Sequence, residues 1–383
     1  MWVRRLINSL NEREGIMNKE RLTQRFLRYV TCASESRDER EFCLMLEDEL
    51  KEMGVRVDRD ESGEKCGSNG WNIRASLPGH GEPILFCAHL DTVSPGKGIK
   101  PVLEGGVIRS GGDTVLGADD KAGVAAIMEA FESLTEHDLA HRPVEALFTI
   151  CEELGLMGSK HADYSAFSSR QAVVLDSGPA VGSIINRAPA NIRILVKITG
   201  KSAHAGIAPN EGVHALKAAA AAISSIPCGY VDDESVMNIA NMLAPGKTNV
   251  VPSLASFNME IRSFSEATLD KHLKAAEKAV KDACDLYGAS YSFEPERHSS
   301  VLHVPENGSL ICLIRKALND IGVEGCVDRT FGGSDATWLN ANGIEAVNIG
   351  IGMKDAHSVT EHIAVDDLET TARLVMNIAL SVS

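Results

Sequence analysis

Residues 84–90 read ILFCAHL, apolar at successive positions and broken only by a histidine near the end. A strand with one face in water alternates apolar and polar residues. An unbroken apolar run therefore belongs to a strand covered on both faces, as inside a helix-flanked α/β sheet. Two further runs repeat the pattern, VEALFTI at 144–150 and AVVL at 172–175. Helical spacing surrounds them: Leu22, Phe26, Leu27 and Val30; then Phe42, Leu44, Leu46 and Leu50, stopped by Gly54; then 121–134 after a Gly-Ala-Asp-Asp turn. This alternation specifies an α/β fold with a mainly parallel, helix-covered sheet.

The pattern changes after Gly178. Ile192, Ile194, Val196 and Ile198 alternate strictly with less apolar positions, the mark of a half-exposed strand. An Ala-rich helix at 213–225, strands near 236–243 and 249–263, a helix capped by Ser265 and a strand at 289–295 follow. The order β-α-β-β-α-β is that of a ferredoxin-like α+β module. Buried patterning returns near 298, with a helix at 310–321 and a strand at 346–351. The expected organisation is an N-terminal extension, 1–16; a large domain in two segments, 17–183 and 298–383; and an inserted domain, 184–297. Met17 opens the first helix pattern, and Glu12-Arg13-Glu14-Gly15 can be encoded by a purine-only run a few codons before it. Met17 is thus one expected natural start, a frayed N-terminal helix turn being the alternative.

Composition narrows the function. With 53 Asp plus Glu against 38 Lys plus Arg, the net charge is −15. Such a surface repels phosphate backbones and anionic membranes, so neither nucleic acid nor membrane is an expected partner. No run nears 18 apolar residues. The opening MWVRRLINSL lacks the apolar core of a secretory leader. The nine cysteines are scattered without a C-x-x-C pair, as for reduced thiols in a cytoplasmic protein.

Chemistry-bearing residues gather at the ends of the buried runs. His89 and Asp91, at i and i+2, share a face at a strand's carboxyl end, where ligands bind in open α/β sheets. Asp119 and Asp120 open a helix, Glu152 and Glu153 follow VEALFTI, and Asp176 follows AVVL. Each has an ordinary reading alone: a surface His beside a turn Asp, an N-cap, a solvated acidic turn, an Asx-turn. Together they should converge on one sheet edge, which favours a site.

HLDTV, GADDKAG, EELG, DSG, GKSAHAG, TNVVP, EIRSF, GGSDA and AHSVTEHI occur in the order of the co-catalytic zinc hydrolases: peptidase T, the aminoacylases and the glutamate carboxypeptidases. The resemblance spans 17–383, and TVLGADDKAGVA with EELGLMGSKHAD is most similar to the peptidase T-like branch. It implies a zinc exopeptidase-like catalytic domain in which the inserted module is a lid and dimerisation domain. It implies two zinc ions per subunit, with cobalt or manganese as admissible substitutes. His89 and Asp176 would hold one ion, Glu153 and His357 the other, and Asp119 would bridge them. Asp91 would orient His89, Glu152 would be the general base, and Asp120 would be a helix-terminal carboxylate.

The same resemblance places His204, Asn249, Arg262, Gly333 and Ser334 at the substrate. His204 would reach a neighbouring subunit's site in a homodimer. Arg262 would clamp a peptide carboxylate, although alone it is also a plain strand-end charge. The implied activity is aminopeptidase hydrolysis of short peptides such as tripeptides. The rivals are an N-acyl-amino-acid deacylase or carboxypeptidase, and a non-catalytic peptide- or metal-binding protein. The remaining histidines, His362 included, match no ligand position.

Overall fold

The computed structural model describes residues 16–381. The expected extension, 1–16, lies outside the described residues but for Ile16. Contacts divide the chain into two compact units, one made of Ala188–Leu302 and Thr330–Gly333, the other of the rest. The insertion starts later than the expected 184 because Ser183–Ala188 is still a strand of the large sheet, parallel to Cys326–Arg329 and antiparallel to Glu345–Gly350. It ends later than 297 because Ser290–Ser299 stays paired with Ala190–Thr199 as far as Ser299. The short excursion Thr330–Gly333 has no composition signal.

In the larger unit the sheet runs in the order Arg56–Arg59, Ile73–Leu77, Val144–Thr149, Ile84–His89, Gln171–Ser177, Glu345–Gly350, Ser183–Ala188 and Leu302–His303. The four strands from Val144–Thr149 to Glu345–Gly350 are parallel neighbours, and antiparallel strands flank them. Every residue of Ile84–His89 and of Val144–Thr149 is buried, as the unbroken apolar runs require. A separate three-stranded sheet, Pro101–Glu104, Val107–Ser110 and His362–Ala364, has no counterpart in the sequence reading. Its strands are three or four residues long, too short for a period to show.

Helix Ala118–Glu136 is buried along most of its length. Small residues let it lie close to the sheet: a Cβ on Gly123 would stand 2.6 Å from the Leu175 carbonyl oxygen. Helix Lys19–Thr31 is capped by the Asn18 side chain and buries Leu22, Phe26, Tyr29 and Val30. Its polar side is not simply solvated. Arg25 is 4% exposed and pairs with Glu132 and, at 2.7 Å, with Glu129, whose other oxygen takes Arg21 at 2.7 Å. Removing one member of such a buried network leaves an uncompensated charge.

The inserted unit is an antiparallel sheet ordered Gly229–Asp232, Ser235–Leu243, Leu254–Ser263, Ala190–Thr199 and Ser290–Ser299. Its core joins Ile194, Val196, Ile198, Phe257 and Ile261 to Ala218, Ala222, Leu269 and Val280 of helices Ala215–Ser225 and Glu266–Tyr287. Gly229–Asp232 is an edge strand added to the β-α-β-β-α-β order. No described helix is long and apolar enough to cross a membrane.

Gly123 supplies a test of how closely the central helix must approach the sheet. Gly123→Ala is expected to destabilise the protein by about 1–3 kcal/mol through overpacking. Denaturant unfolding measures this, and an unchanged midpoint would mean that the helix can withdraw from Leu175 at no cost.

Candidate metal centre

Three adjacent parallel strands deliver the chemistry. His89 ends one, Glu152 and Glu153 follow the second, and Asp176 lies near the end of the third. Asp119 sits at the start of helix Ala118–Glu136 in a non-helical conformation, φ −82° and ψ 99°, followed by a cis peptide bond to Asp120. His357 has φ +65° in a loop closed by the bridge between Lys354 and His362.

The five residues expected as ligands come together. Asp119 offers one oxygen to each imidazole: Oδ1 is 3.0 Å from His89 Nε2 and Oδ2 is 3.2 Å from His357 Nε2. His89 Nε2 lies 3.9 Å from Asp176 Oδ1, and His357 Nε2 lies 2.8 Å from Glu153 Oε1. Donor atoms of His89, Asp119 and Asp176 fall within 4.8 Å of one another, and so do those of Asp119, Glu153 and His357. Asp119 belongs to both triads. A third grouping joins His89 with Glu152 and Glu153.

This donor set fits divalent cations. It offers only nitrogen and oxygen atoms, and Glu153 Oε1 is buried and makes no well-aligned hydrogen bond among the described residues despite its 2.8 Å approach to His357. Charge says the same. Burial pushes the carboxyls of Asp120, Glu152 and Asp176 well above the usual range, Glu152 adding to the effect on Asp176. The Asp119 and Glu153 carboxylates beside the His357 ring push its pKa up to about 10. Burial opposes a charge on His89, but Asp119 and Asp91 outweigh it and raise that group too. For Asp119, the two imidazoles overcome burial and lower its pKa. Protons stand where cations would otherwise neutralise the cluster.

A second ring of carboxylates holds the backbone around the first. Asp91 reaches His89 chiefly through its main-chain oxygen. His89 Nδ1 lies 2.9 Å from the Asp91 main-chain oxygen, while the Asp91 carboxylate, 3.6 Å from that nitrogen, accepts the N–H groups of Glu152 at 2.9 Å and Glu153 at 3.3 Å. Asp120 Oδ1 accepts from Gly123 N as a helix-terminal carboxylate does, and its Oδ2 also takes His89 N at 3.1 Å.

Three supporting roles are not among those expected. Glu361 is 1% exposed and accepts N–H groups from Leu116, Gly117 and Asp119 at 2.7, 2.8 and 2.9 Å. Glu39 accepts Cys151 N at 3.1 Å, and Asp335 accepts the Thr149 hydroxyl at 2.5 Å. The one available signal for Glu361 was its place between the two histidines of AHSVTEHI.

The other expected residues divide between the units. His204 and Asn249 are exposed neighbours in the insertion: Ala205 N donates to Asn249 O at 3.0 Å, and His204 bridges to Val250. His204 Nδ1 accepts from Gly206 N and Ile207 N, both at 3.2 Å. Arg262, on strand Leu254–Ser263, is bound through Nε to Glu260 at 2.6 Å and through Nη1 to Phe331 O at 2.6 Å. Gly333 is exposed and belongs with the insertion, whereas Ser334 is buried in the larger unit, its carbonyl accepting from Thr337 N.

Residues 85–381 match the family model for peptidase family M20/M25/M40. The chain belongs to that family. The crystal structure of aminopeptidase PepT from Bacillus cereus ATCC 10987 superposes with a TM-score of 0.89 at 33% identity, covering 96% of this chain and 100% of that one. A tripeptidase from Staphylococcus aureus subsp. aureus Mu50 gives a TM-score of 0.92 at 28% identity, covering 96% and 99%. Peptidase T of Escherichia fergusonii is 28% identical over 420 residues, 94% of this chain and 98% of that protein. The chain is a peptidase T-like M20 metallopeptidase that hydrolyses peptide bonds with a metal cofactor.

Two outcomes follow for the M20 centre. Groups whose pKa rises on folding contribute stability that is present below their ordinary pKa and lost as pH rises through the raised value. For His357 that window runs from 6.5 to about 10, and the raised carboxyls act in the same direction. Chelated protein should therefore lose thermal stability between these pH values, whereas metal-loaded protein should lose much less; thermal midpoints measured with and without chelator at each pH decide it. Glu361→Gln is expected to weaken metal affinity about 10–100-fold without unfolding the chain. Competition against a chromophoric chelator reads this directly, and wild-type affinity would remove Glu361 from the support of Asp119.

Proposed function

We propose that this enzyme is a two-zinc aminopeptidase releasing the N-terminal residue of tripeptides, acting in the cytoplasm as a homodimer. One zinc ion would be held by His89 and Asp176, the other by Glu153 and His357, with Asp119 between them. When bound, such a pair polarises the scissile carbonyl and lowers the pKa of water toward ~7. The observation that carries the reading is Glu152, a buried carboxyl grouped with His89 and Glu153, whose pKa burial raises against the pull of the His89 charge.

Burial favours the protonated form of Glu152, so the carboxylate is a stronger base than an exposed one. It can take a proton from the attacking water and return it to the leaving amine, the two halves of general acid–base catalysis. Asp91 fixes its reach by accepting both backbone N–H groups of the Glu152–Glu153 pair. A binding protein has no use for such a group. The insertion would contribute His204 toward the oxyanion in the neighbouring subunit, Asn249 and Gly333 toward the peptide, and Arg262 toward its carboxylate, with Ser334 added from the larger unit. Substrates of this length suit a lid that closes and excludes water.

The test is a tri-alanine panel with free, N-acetylated and C-amidated ends, given to chelated and zinc-reloaded enzyme and to Glu152→Gln. Cleavage confined to peptides with a free amino end and restored by zinc is expected. Glu152→Gln should keep its metal and lose about 10²–10⁴-fold in kcat. Preference for acetylated peptides would make the enzyme a deacylase, and full activity in Glu152→Gln would remove Glu152 as the base.

A further inference from the structure

Arg262 is held in a way that its place on a strand does not require. Its Nε donates to Glu260 Oε1 at 2.6 Å, and Glu260 is steadied by Asn191 and by Arg193, each 3.2 Å from its other oxygen. One such bond leaves the guanidinium plane free to turn about it. A second bond sets the plane, from Nη1 to the carbonyl of Phe331 at 2.6 Å. Of the five N–H groups of a guanidinium, those on Nη2 have no protein partner among the described residues.

Phe331 lies in Thr330–Gly333, the four residues that leave the larger unit's contacts and join the insertion. The two residues after it are exposed glycines, which cannot anchor a backbone. The Phe331 ring can. It packs edge-on against Phe264 at 4.8 Å and 65°, and against Tyr230 at 5.6 Å and 70°. Phe264 is buried, two residues beyond Arg262 on the same chain segment, and its N–H donates to Glu234 O at 3.0 Å. Edge-to-face pairs of this kind have a preferred geometry as well as buried area. The ring therefore determines where the carbonyl stands, and the carbonyl determines how the guanidinium is turned.

The geometry points to Phe331 as a positioning residue for Arg262, which aims the unpaired Nη2 edge at the C-terminal carboxylate of a short peptide. The inference rests on the reading of Arg262 as the carboxylate clamp and adds what orients it. A carboxylate bound by one edge of a guanidinium is sensitive to a rotation of that plane, because bidentate pairing requires both N–H groups in line. Selectivity for a free C-terminus would then depend on an aromatic contact made outside the metal centre.

The experiment compares kcat/KM for tri-alanine and tri-alanine amide in each variant, using the zinc-loaded full chain. The ratio of the two is independent of how much of the preparation is folded. Phe331→Ala keeps the carbonyl and removes the ring; it is expected to lower the free-over-amide ratio about tenfold, through a higher KM for the free peptide. Phe331→Tyr, which retains the ring, is expected to preserve the ratio, and Arg262→Gln to abolish the preference. Equal losses on both peptides in Phe331→Ala would make Phe331 merely structural and overturn the proposal. A ratio unchanged in Phe331→Ala but abolished in Arg262→Gln would overturn it while leaving the clamp in place. A preference that survives Arg262→Gln would remove the clamp itself, and the role of Phe331 with it.

Discussion

Asp119 is one carboxylate facing two imidazoles, and the centre is organised around that sharing. Asp120, Asp176, Glu152 and Glu153 crowd the same strand ends, and carrying each buried charge unpaired costs on the order of several kcal/mol. The lysine that follows Asp120 in the chain does not answer them. Lys121 is buried two residues from Asp119, but its Nζ donates to Cys32 O at 2.6 Å and lies 4.8 Å from the Phe42 ring centre. Burial lowers its pKa to about 8, so its charge is itself barely tolerated. The chain thus concentrates negative charge and leaves the compensation to ions from outside.

Holding such a cluster demands long-range order. The ligands stand at strand ends, at a helix start and in loops, where many backbone N–H groups lack a ladder partner and must still be satisfied. Carboxylates do this work: Glu39 for Cys151, Asp91 for Glu152 and Glu153, Asp120 for His89, and Glu361 for Leu116, Gly117 and Asp119. These residues come from positions 39 to 361, so the site exists only when nearly the whole larger unit is assembled. Metal binding is then coupled to folding of that unit, because the unfolded chain holds no preformed site.

What was legible in the sequence follows from the range of each signal. The apolar runs at 84–90 and 144–150 reveal buried strands because the pattern is local, and a polar residue at the end of such a run is conspicuous. His89, Glu153 and Asp176 were visible for that reason, and the alternation at 190–199 exposed the insertion. Glu361, Glu39 and Arg25 were not, because a buried charge and a solvated one are spelled alike and only tertiary contacts separate them. Asp91 was read from the two-residue period, which places it beside His89 but says nothing of N–H groups arriving from 152 and 153. The loop 330–333 carries two glycines and no periodicity, so its allegiance to the insertion is written only in the packing of Phe331.

The same charge distribution bears on which end of a peptide the centre accepts. Beyond the ligands themselves, Glu152, Asp91, Asp120, Asp335 and Glu361 remain as buried acids around the strand ends. Burial raises the pKa of Glu152, Asp120, Asp335 and Glu361, so their charge is drawn out by a cation, a metal ion or the ammonium of a peptide, whereas a peptide carboxylate brought among them meets no counter-charge. Arginine is the opposite case: among the described residues, the guanidinium of Arg262 keeps an unpaired edge after Glu260 and Phe331 are served. Under the proposed reading, electrostatics favours a free amino end at the metal centre and, separately, a free carboxyl end at Arg262. An N-acylated substrate forfeits the first attraction and an amidated one the second. Under that reading, a preference for doubly free short peptides would come from where this chain puts its acids and Arg262, rather than from the hydrolytic chemistry, which would serve any amide.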